Sequence, residues 1–467
     1  MEIVRLSIPS SISEQLDTLS VKYIPVDNFF CEELYQSAGE LDERCKNMLR
    51  SVGFEHDSQN YLLVLPHNYL LDYQILSDLI SFEPQIINHE KLSAIFKGCA
   101  KNSFPPVNGL FDFKMIVDSE VLDMEKIYIQ SGDPERLLQL DKMAVNLLFQ
   151  DCESLQFATS QERLFAGRGE SGSNNEVELS FTPIRLKQRV DETFDLPAMP
   201  DIAQDIMKLR VDPSADANKL AKIVSRDPSL AAQVISWASS PYYGYQGKID
   251  SIETAIARVL GFELVMNLAL GISIGKSLNI PKDGPLGVKE FWKQSIYNAT
   301  LSEKLSRAMP LKQRPERGLI YLSGLLHNFG HLLLGHVFPP QFKLINNTIL
   351  CNPYIAVEDI EFYILGVTHE EIGAWLMQNW HMPDELIVAV HRHHQEEFWS
   401  KHAVYSNLVL VANRLLKKLD IGDSVITTIP QTTLELLALD IESVESALED
   451  IRLESESLDL MAKQLVA

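Results

Sequence analysis

The chain has 467 residues, of which 46% are hydrophobic and 22% are charged, and its formal net charge at pH 7 is -23. This composition is typical of globular proteins, and the length is enough for two or three domains. The negative charge argues against broad binding of DNA or of an anionic membrane surface, because a phosphate backbone needs a basic partner. A local basic pocket is still compatible with it.

The sequence has none of the usual marks of a membrane or exported protein. Its apolar runs are shorter than the roughly eighteen residues of a membrane span. Its first residues are polar and acidic where a signal peptide needs an apolar segment. The five cysteines are scattered and form no Cys-x-x-Cys pair, which argues against a disulfide framework or a zinc finger. We therefore expect a cytoplasmic protein without a membrane partner.

The N-terminal part, residues 1–158, mixes helix and strand signals. Residues 12–23 have the spacing of a short amphipathic helix that leads into a strand, and residues 71–80 have helical spacing. Residues 60–66, "NYLLVLP", form an apolar run of strand length that ends in proline. Residues 111–122 read as a strand followed by a turn or helix. The pattern predicts an α/β (α+β) domain.

Residues 159–182 are rich in glycine, serine and asparagine and lack a helical apolar period. Such a stretch is typical of a flexible linker. It divides the chain into the N-terminal domain and a larger C-terminal part, residues 183–467.

The C-terminal part shows successive short helical patterns and little strand-like alternation. Asp212-Pro213 and Asp227-Pro228 fit helix starts, with a capping aspartate before a proline at the first helical position, and Asp216 could cap a helix between them. Gly261 interrupts a further helix pair. An acidic segment at 433–465 is either the solvated face of a packed helix pair or a partner-binding helix. We predict an all-α domain.

Several stretches of this part resemble the HDOD family, the HD-related output domain of bacterial signalling proteins. They are "LPAMPDIAQDIMKL" (196–209), "SGLLHNFGHLLL" (323–334), "GVTHEEIGAWLMQNWHMP" (366–383) and "AVHRHH" (389–394). The resemblance covers most of residues 185–415, with order and spacing intact. It implies an HD-like helical fold and signalling proteins as partners.

Catalytic relatives of HD type bind metal with a histidine, a His-Asp pair and a distant aspartate. The resemblance places these positions at Gln294, His327, Asn328 and Asn413, so three of the four are amides. An amide oxygen is a neutral, weak ligand compared with imidazole or carboxylate. We therefore expect a catalytically degenerate site with no metal and no cofactor.

Four histidines, His327, His369, His393 and His394, stand where dinuclear relatives of HD-GYP type also have histidines. They could hold a metal ion. Alternatively, they are buried polar groups that hydrogen-bond to the three amides. Glu370 and Glu371 could add a carboxylate, although Glu370 follows His369 directly and neighbouring residues share a helix face poorly.

The N-terminal part resembles the YbaK/prolyl-tRNA-editing domain, whose members hydrolyse mischarged aminoacyl-tRNA. The resemblance is carried by residues 104–141, which include the turn Pro105-Pro106-Val107-Asn108-Gly109, and by "ERCKNMLRSV" before residue 60. It places the family's functional lysine at Lys46, where a positive charge would stabilise the ester carbonyl as negative charge develops. Lys46 could equally be an ordinary surface lysine. The turn carries one more residue than the family pattern.

Three functions follow from these features. The first is a bacterial signal-transduction protein whose HDOD domain binds a partner or ligand without catalysis. The second is an aminoacyl-tRNA deacylase in the N-terminal domain, with tRNA as its substrate and the helical domain as its regulator. The third is a residual metal-dependent phosphohydrolase.

Overall fold

The structure is a computed structural model that describes residues 8–28, 43–100, 103–160, 163–164, 198–239, 245–249, 251–278 and 280–466. The chain forms two compact units. The first contains residues 1–175 together with 347–355, and the second contains residues 176–346 and 356–467. Most of the predicted linker at 159–182 lies outside the described residues, so the linker stays a prediction.

The first unit combines strands and short helices, which confirms the predicted α/β class. Its strands are β1 (Ile24–Asp27), β2 (Leu49–His56), β3 (Gln59–Pro66), β4 (Leu70–Leu71), β5 (Gln85–Ile86), β6 (Lys114–Asp118), β7 (Lys126–Gln130), β8 (Arg136–Asp141), β9 (Glu153–Leu155) and β10 (Ala158–Thr159). Its helices are α1 (Ser10–Thr18), α2 (Glu43–Lys46), α3 (Tyr73–Ile80), α4 (His89–Ile95), α5 (Ser119–Asp123) and α6 (Lys142–Phe149).

The central sheet of this unit is five-stranded and mixed, in the order β5-β2-β3-β6-β9. Strands β2 and β3 form an antiparallel hairpin, and β3, β6 and β9 run parallel. The hairpin turn consists of Asp57 and Ser58, both with positive φ, as tight hairpin turns of two residues require. A second sheet has the order β1-β8-β7, and β4 pairs with β10. Leu62, Val64 and Val117 are buried in the core.

The second unit is helical throughout the residues described from 198 onward, as predicted. Its helices are α7 (Asp201–Arg210), α8 (Ala217–Val224), α9 (Pro228–Ala238), α10 (Ile252–Thr254), α11 (Phe262–Lys276), α12 (Val288–Ala308), α13 (Arg317–Leu326), α14 (Phe329–Val337), α15 (Pro339–Cys351, which ends in the first unit), α16 (Val357–Leu365), α17 (His369–Asn379), α18 (Asp384–Arg392), α19 (Ala403–Lys417), α20 (Gln431–Leu437), α21 (Ile441–Leu453) and α22 (Ser455–Val466). Helix α12 is central and packs against α13, α19, α21 and α22.

Local signals set several helix ends in this unit. Asp216 and Asp227 cap α8 and α9, as predicted, and Gly261 separates α11 from a π-helical turn at a φ of 86°. The predicted helix start at Asp212-Pro213 is wrong. The Asp212 carboxylate accepts a hydrogen bond from the Ser214 backbone N–H and closes a local turn instead, since a short acidic side chain competes well for nearby amides.

The acidic C-terminal segment folds as α20, α21 and α22 rather than as a helix pair. In α21, Val444 and Ile451 are buried, while Glu442 and Glu445 are exposed. Its acidic side is therefore exposed on a packed helix, and partner binding by this segment stays a prediction. Among the described residues, no helix combines the length and the apolar character that crossing a membrane requires.

Candidate functional site

The four positions singled out by the HD pattern converge in the helical unit. Gln294 lies on α12, His327 follows α13, Asn328 precedes α14 and Asn413 lies on α19, and all four side chains are buried. The Gln294 Nε2 atom lies 3.4 Å from His327 Nε2 and 3.4 Å from Asn413 Oδ1. The structure thus assembles one polar cluster from four helices.

A carboxylate that the sequence analysis missed lies in this cluster. Gln294 Nε2 donates a hydrogen bond of 2.6 Å to Asp423 Oδ1, and Asn328 Nδ2 donates one of 2.7 Å to Asp423 Oδ2. Asp423 is brought in by the loop after α19, in which Gly422 has a φ of 93°. A Cβ atom at Gly422 would come within 2.9 Å of Gln294 Nε2, so glycine permits the close approach. The Gly-Asp pair just beyond Asn413 was the available sequence signal.

Asn413 is held by a further amide. Asn298 Nδ2 donates a hydrogen bond of 2.7 Å to Asn413 Oδ1, and Ser302 Oγ donates one of 3.0 Å to Asn298 Oδ1. The amide groups at Gln294 and Asn328 therefore point their N–H groups at Asp423, and the oxygen of Asn413 faces other amides. Buried polar groups are costly without such partners.

The remaining predicted histidines lie together beside Asn328. His369 Nε2 is 3.3 Å from His393 Nε2, His393 Nε2 is 3.0 Å from Asn328 Oδ1, and His394 Nε2 is 3.9 Å from Asp423 Oδ2. Close helix contact brings His369 to this place. A Cβ atom at Gly330 on α14 would lie 1.9 Å from the His369 carbonyl oxygen on α17, so only glycine fits there.

Contacts on the far side of each ring fix which nitrogen faces the cluster. His327 Nδ1 donates to Gly324 O at 2.7 Å, and His393 Nδ1 donates to Val390 O at 2.8 Å. His369 Nδ1 lies 2.7 Å from the Glu361 carboxylate. In all three rings Nε2 is the atom turned inward, which is how outer contacts orient metal-binding histidines.

Charge in the cluster is concentrated on a buried pair. Burial alone disfavours charge on His369, but the Glu361 carboxylate raises the pKa of His369 to about 10. Burial opposes charge on Glu361 too, and the two neighbouring imidazoles, His369 and His331, lower the pKa of Glu361 to about 2. Burial lowers the pKa of His327 to about 4 and that of His393 well below its usual range. His369 and Glu361 are therefore charged at neutral pH, while His327 and His393 are neutral.

The two glutamates that follow His369 have separate roles. Glu371 belongs to a capping box: its carboxylate accepts from the Thr368 backbone N–H at 3.1 Å at the start of α17. Burial raises the pKa of Glu370, and the charges of His394 and His369 oppose that rise. Glu370 thus interacts with the cluster although it is the direct neighbour of His369, because the first turn of α17 is buried there.

Two groups in this region have ligand atoms that lie within 4.8 Å of one another: His369, His393 and His394, and His331, Glu361 and His369. Two nitrogens bound to one tetrahedral transition-metal ion are about 3.4 Å apart, given metal–nitrogen bonds of roughly 2.0–2.1 Å. The 3.3 Å between His369 Nε2 and His393 Nε2 fits this value. A bound cation would also relieve the two lone pairs that meet at His393 Nε2 and Asn328 Oδ1. The geometry suits one ion, and binding would release the proton from His369 Nε2, because a metal-ligating imidazole is neutral.

The first unit contains a separate cavity of about 430 Å³. Strand β2 forms one side through residues 49–53, and its other walls include Phe104, Gln130 and the short stretch Leu350–Tyr354. Lys46 is exposed at the end of α2 and does not line this cavity, although Leu49, three positions later, does. The resemblance to editing domains thus places its lysine near the start of the cavity-lining strand.

Comparison with known proteins matches both units. The HDOD domain family matches residues 196–396, and the aminoacyl-tRNA editing domain family matches residues 30–145. A Marinobacter aquaeolei VT8 protein of known crystal structure, ascribed by inference to signal transduction, is 30% identical over 99% of this chain and 100% of its own, with a TM-score of 0.80. The chain belongs to the HDOD family. It carries an N-terminal aminoacyl-tRNA editing domain.

More distant relatives of this HDOD protein cover only part of it. An HDOD domain protein of Geobacter sulfurreducens, 20% identical, aligns with 60% of this chain and 96% of its own with a TM-score of 0.50, which shows a shared fold. A Treponema pallidum (strain Nichols) protein without an assigned role is 24% identical over 275 residues, or 58% of this chain. The chain spans about half, 51%, of the length of that curated relative.

Proposed function

We propose that this HDOD protein is a cytoplasmic bacterial signalling protein whose helical domain binds a partner or small ligand without hydrolysing it. The hydrogen bonds from Gln294 and Asn328 to Asp423 carry the proposal. In a hydrolytic HD site, acids at the third and fourth positions, here Asn328 and Asn413, help to hold metals that activate water. Here the carboxylate in the cluster, Asp423, stands outside the HD pattern, and each of its oxygens already accepts one amide hydrogen bond.

Two assays of the purified full-length chain test this proposal. Metal content is measured first, by mass spectrometry of the purified protein. Phosphodiesterase activity is then measured with bis-p-nitrophenyl phosphate and with cyclic dinucleotides, in the presence of Mn²⁺, Fe²⁺ or EDTA. We expect no turnover above a His327→Ala control under any of these conditions. Metal-dependent turnover that disappears in His327→Ala would establish a phosphohydrolase and overturn the proposal.

A second function, aminoacyl-tRNA deacylation in the first unit, is favoured by the cavity beside β2. Its volume of about 430 Å³ lies in the range of small-molecule sites, and apolar walls are combined with polar groups such as Arg50, Ser103 and Gln130. That combination suits an aminoacyl group, which has an apolar body and a polar end.

Deacylation is tested with a panel of mischarged tRNAs. We expect release of at least one amino acid by the intact chain and slower release by Lys46→Ala. Lys97→Ala is a matched control, because Lys97 is also an exposed lysine of the same unit but does not stand at the position that the resemblance assigns to the functional lysine. If no mischarged tRNA is deacylated, this second function is contradicted and the signalling proposal is unaffected.

A further inference from the structure

The stretch at residues 347–355 belongs to the first unit, although in sequence it lies inside the helical domain. It consists of the last turn of α15 and the residues before α16. Its place in the first unit depends on two polar side chains, Asn352 and Arg50, both almost fully buried.

Asn352 attaches this stretch to the edge of β4. Its Oδ1 accepts a hydrogen bond of 2.8 Å from Leu71 N, and its Nδ2 donates one of 3.0 Å to Leu71 O. A single amide thus pairs with the backbone of Leu71 as a neighbouring strand would. Nδ2 also donates to Thr348 O at 2.7 Å, so that the amide is satisfied on both sides. Loss of the amide would leave buried backbone groups without these partners.

Arg50 of β2 provides the second attachment. Its Nη1 donates a hydrogen bond of 2.6 Å to Cys351 O, and its Nη2 donates to Asn352 Oδ1 and, at 3.0 Å, to Tyr69 O. The planar guanidinium group therefore joins β2, the residues before β4 and the stretch after α15. Its several donors in a fixed arrangement make it rigid at this junction.

The same stretch forms one wall of the cavity beside β2. Leu350, Cys351, Pro353 and Tyr354 face into the cavity, and the Tyr354 ring lies 5.1 Å from the His67 ring. Without this stretch the cavity would be open on that side. The opposite residues, at 50–53 of β2, lie on the strand that holds the stretch in place through Arg50.

We propose that Leu350, Cys351, Pro353 and Tyr354 form a functional wall of this cavity, which binds a small molecule with an apolar body and a polar ester or carboxyl end, of the amino-acid class. The proposal rests on the second function above and names a chain segment that completes its binding site.

The test uses the full-length chain and the methyl esters of the twenty L-amino acids as probes, with binding followed by thermal shift and calorimetry. Asn352→Ala removes the attachment to Leu71, and Tyr354→Ala removes part of the wall at a half-buried position where the fold should tolerate it. Gln59→Ala, an exposed position on β3 away from the cavity, is the control. We expect at least one ester to bind the wild type and the control equally, and both wall variants at least ten-fold more weakly.

Two results would overturn the proposal. Equal binding by folded Tyr354→Ala and the wild type shows that the stretch is not a functional wall, and binding of no ester by the wild type removes a site of this class. These results can be distinguished from failure of the second function, aminoacyl-tRNA deacylation. If the wall variants lose ester binding while the wild type deacylates no tRNA, the proposed wall is supported and the deacylase function is contradicted. If all variants deacylate tRNA equally, the deacylase function is supported and the proposed wall is contradicted.

Discussion

The Asp423 carboxylate accepts a hydrogen bond of 2.7 Å from the Asn328 amide, across 95 positions of sequence. The resemblance to HD sites places the paired aspartate at Asn328, and the Asn328 amide donates to an acid that the HD pattern did not point to. The cluster therefore contains a carboxylate outside the four positions of the HD pattern, and this carboxylate accepts hydrogen bonds from the amides at two of them.

Asn328→Asp should destabilise the protein in the absence of metal. The substitution replaces a donor with a second carboxylate beside Asp423, so that a hydrogen bond is lost and like charges meet at short range. We expect the free energy of unfolding in EDTA to fall by about 1–3 kcal/mol. Thermal denaturation with and without Mn²⁺ or Zn²⁺ measures this, and the metal should restore part of the loss. The exposed Asn379→Asp is the control, and an unchanged melting temperature in EDTA would contradict the prediction.

Glu361→Gln should reduce the free energy of unfolding more than most single substitutions in the helical unit. Its carboxylate lies 2.7 Å from His369 Nδ1 and 3.0 Å from His331 Nε2, and removal of its charge leaves a buried imidazolium uncompensated. Breaking a buried pair of this kind costs about 3–5 kcal/mol. Urea denaturation at pH 7 checks the effect, with exposed Glu442→Gln as control. The double variant Glu361→Gln/His369→Gln should lose less than the sum of the single changes; strict additivity would rule out the pair.

Gly330→Ala should disrupt the contact between α14 and α17. The added Cβ would lie 1.9 Å from the backbone oxygen of His369, which cannot yield without moving a helix. Gly335→Ala, on the same helix, meets only side-chain atoms at 3.0 Å or more and gains up to about 1 kcal/mol of helix propensity. We expect a lower melting temperature for Gly330→Ala alone, measured by circular dichroism. Equal melting temperatures of the two variants would show that α14 and α17 can accommodate a methyl group where they cross.

Stability of the first unit should fall below pH 6.5. Burial, together with the charge of Arg50, lowers the pKa of His67 to about 3 from an ordinary value of 6.5. Between these values the unfolded chain binds the proton and the folded chain does not, so the free energy of unfolding decreases as the pH falls. The slope from this group is at most about 1.4 kcal/mol per pH unit. Denaturation of wild type and His67→Gln at pH 7, 5.5 and 4 tests it: the variant should show the shallower dependence.

Much of the fold was predictable because its signals are local. The run at 60–66 lies within β3, and Asp216 and Asp227 cap helices through hydrogen bonds to amides two or three residues away. The prediction of a helix start at Asp212-Pro213 was wrong for an equally local reason. The Asp212 carboxylate accepts a hydrogen bond within a turn instead of capping a helix. These contacts depend on neighbours in sequence, and so the sequence alone determined them.

The composition of the site was decided by packing. The resemblance to the HDOD family was enough to select Gln294, His327, Asn328 and Asn413. The entry of Asp423 depends on the loop after α19 reaching α12 and the start of α14, and the pairing of Glu361 with His369 depends on how α16 meets α17. The same holds for Asn352, whose partner Leu71 lies 281 positions away. Hydrogen bonds over such separations form only after helices and strands have packed, because no local preference of the chain brings their two ends together.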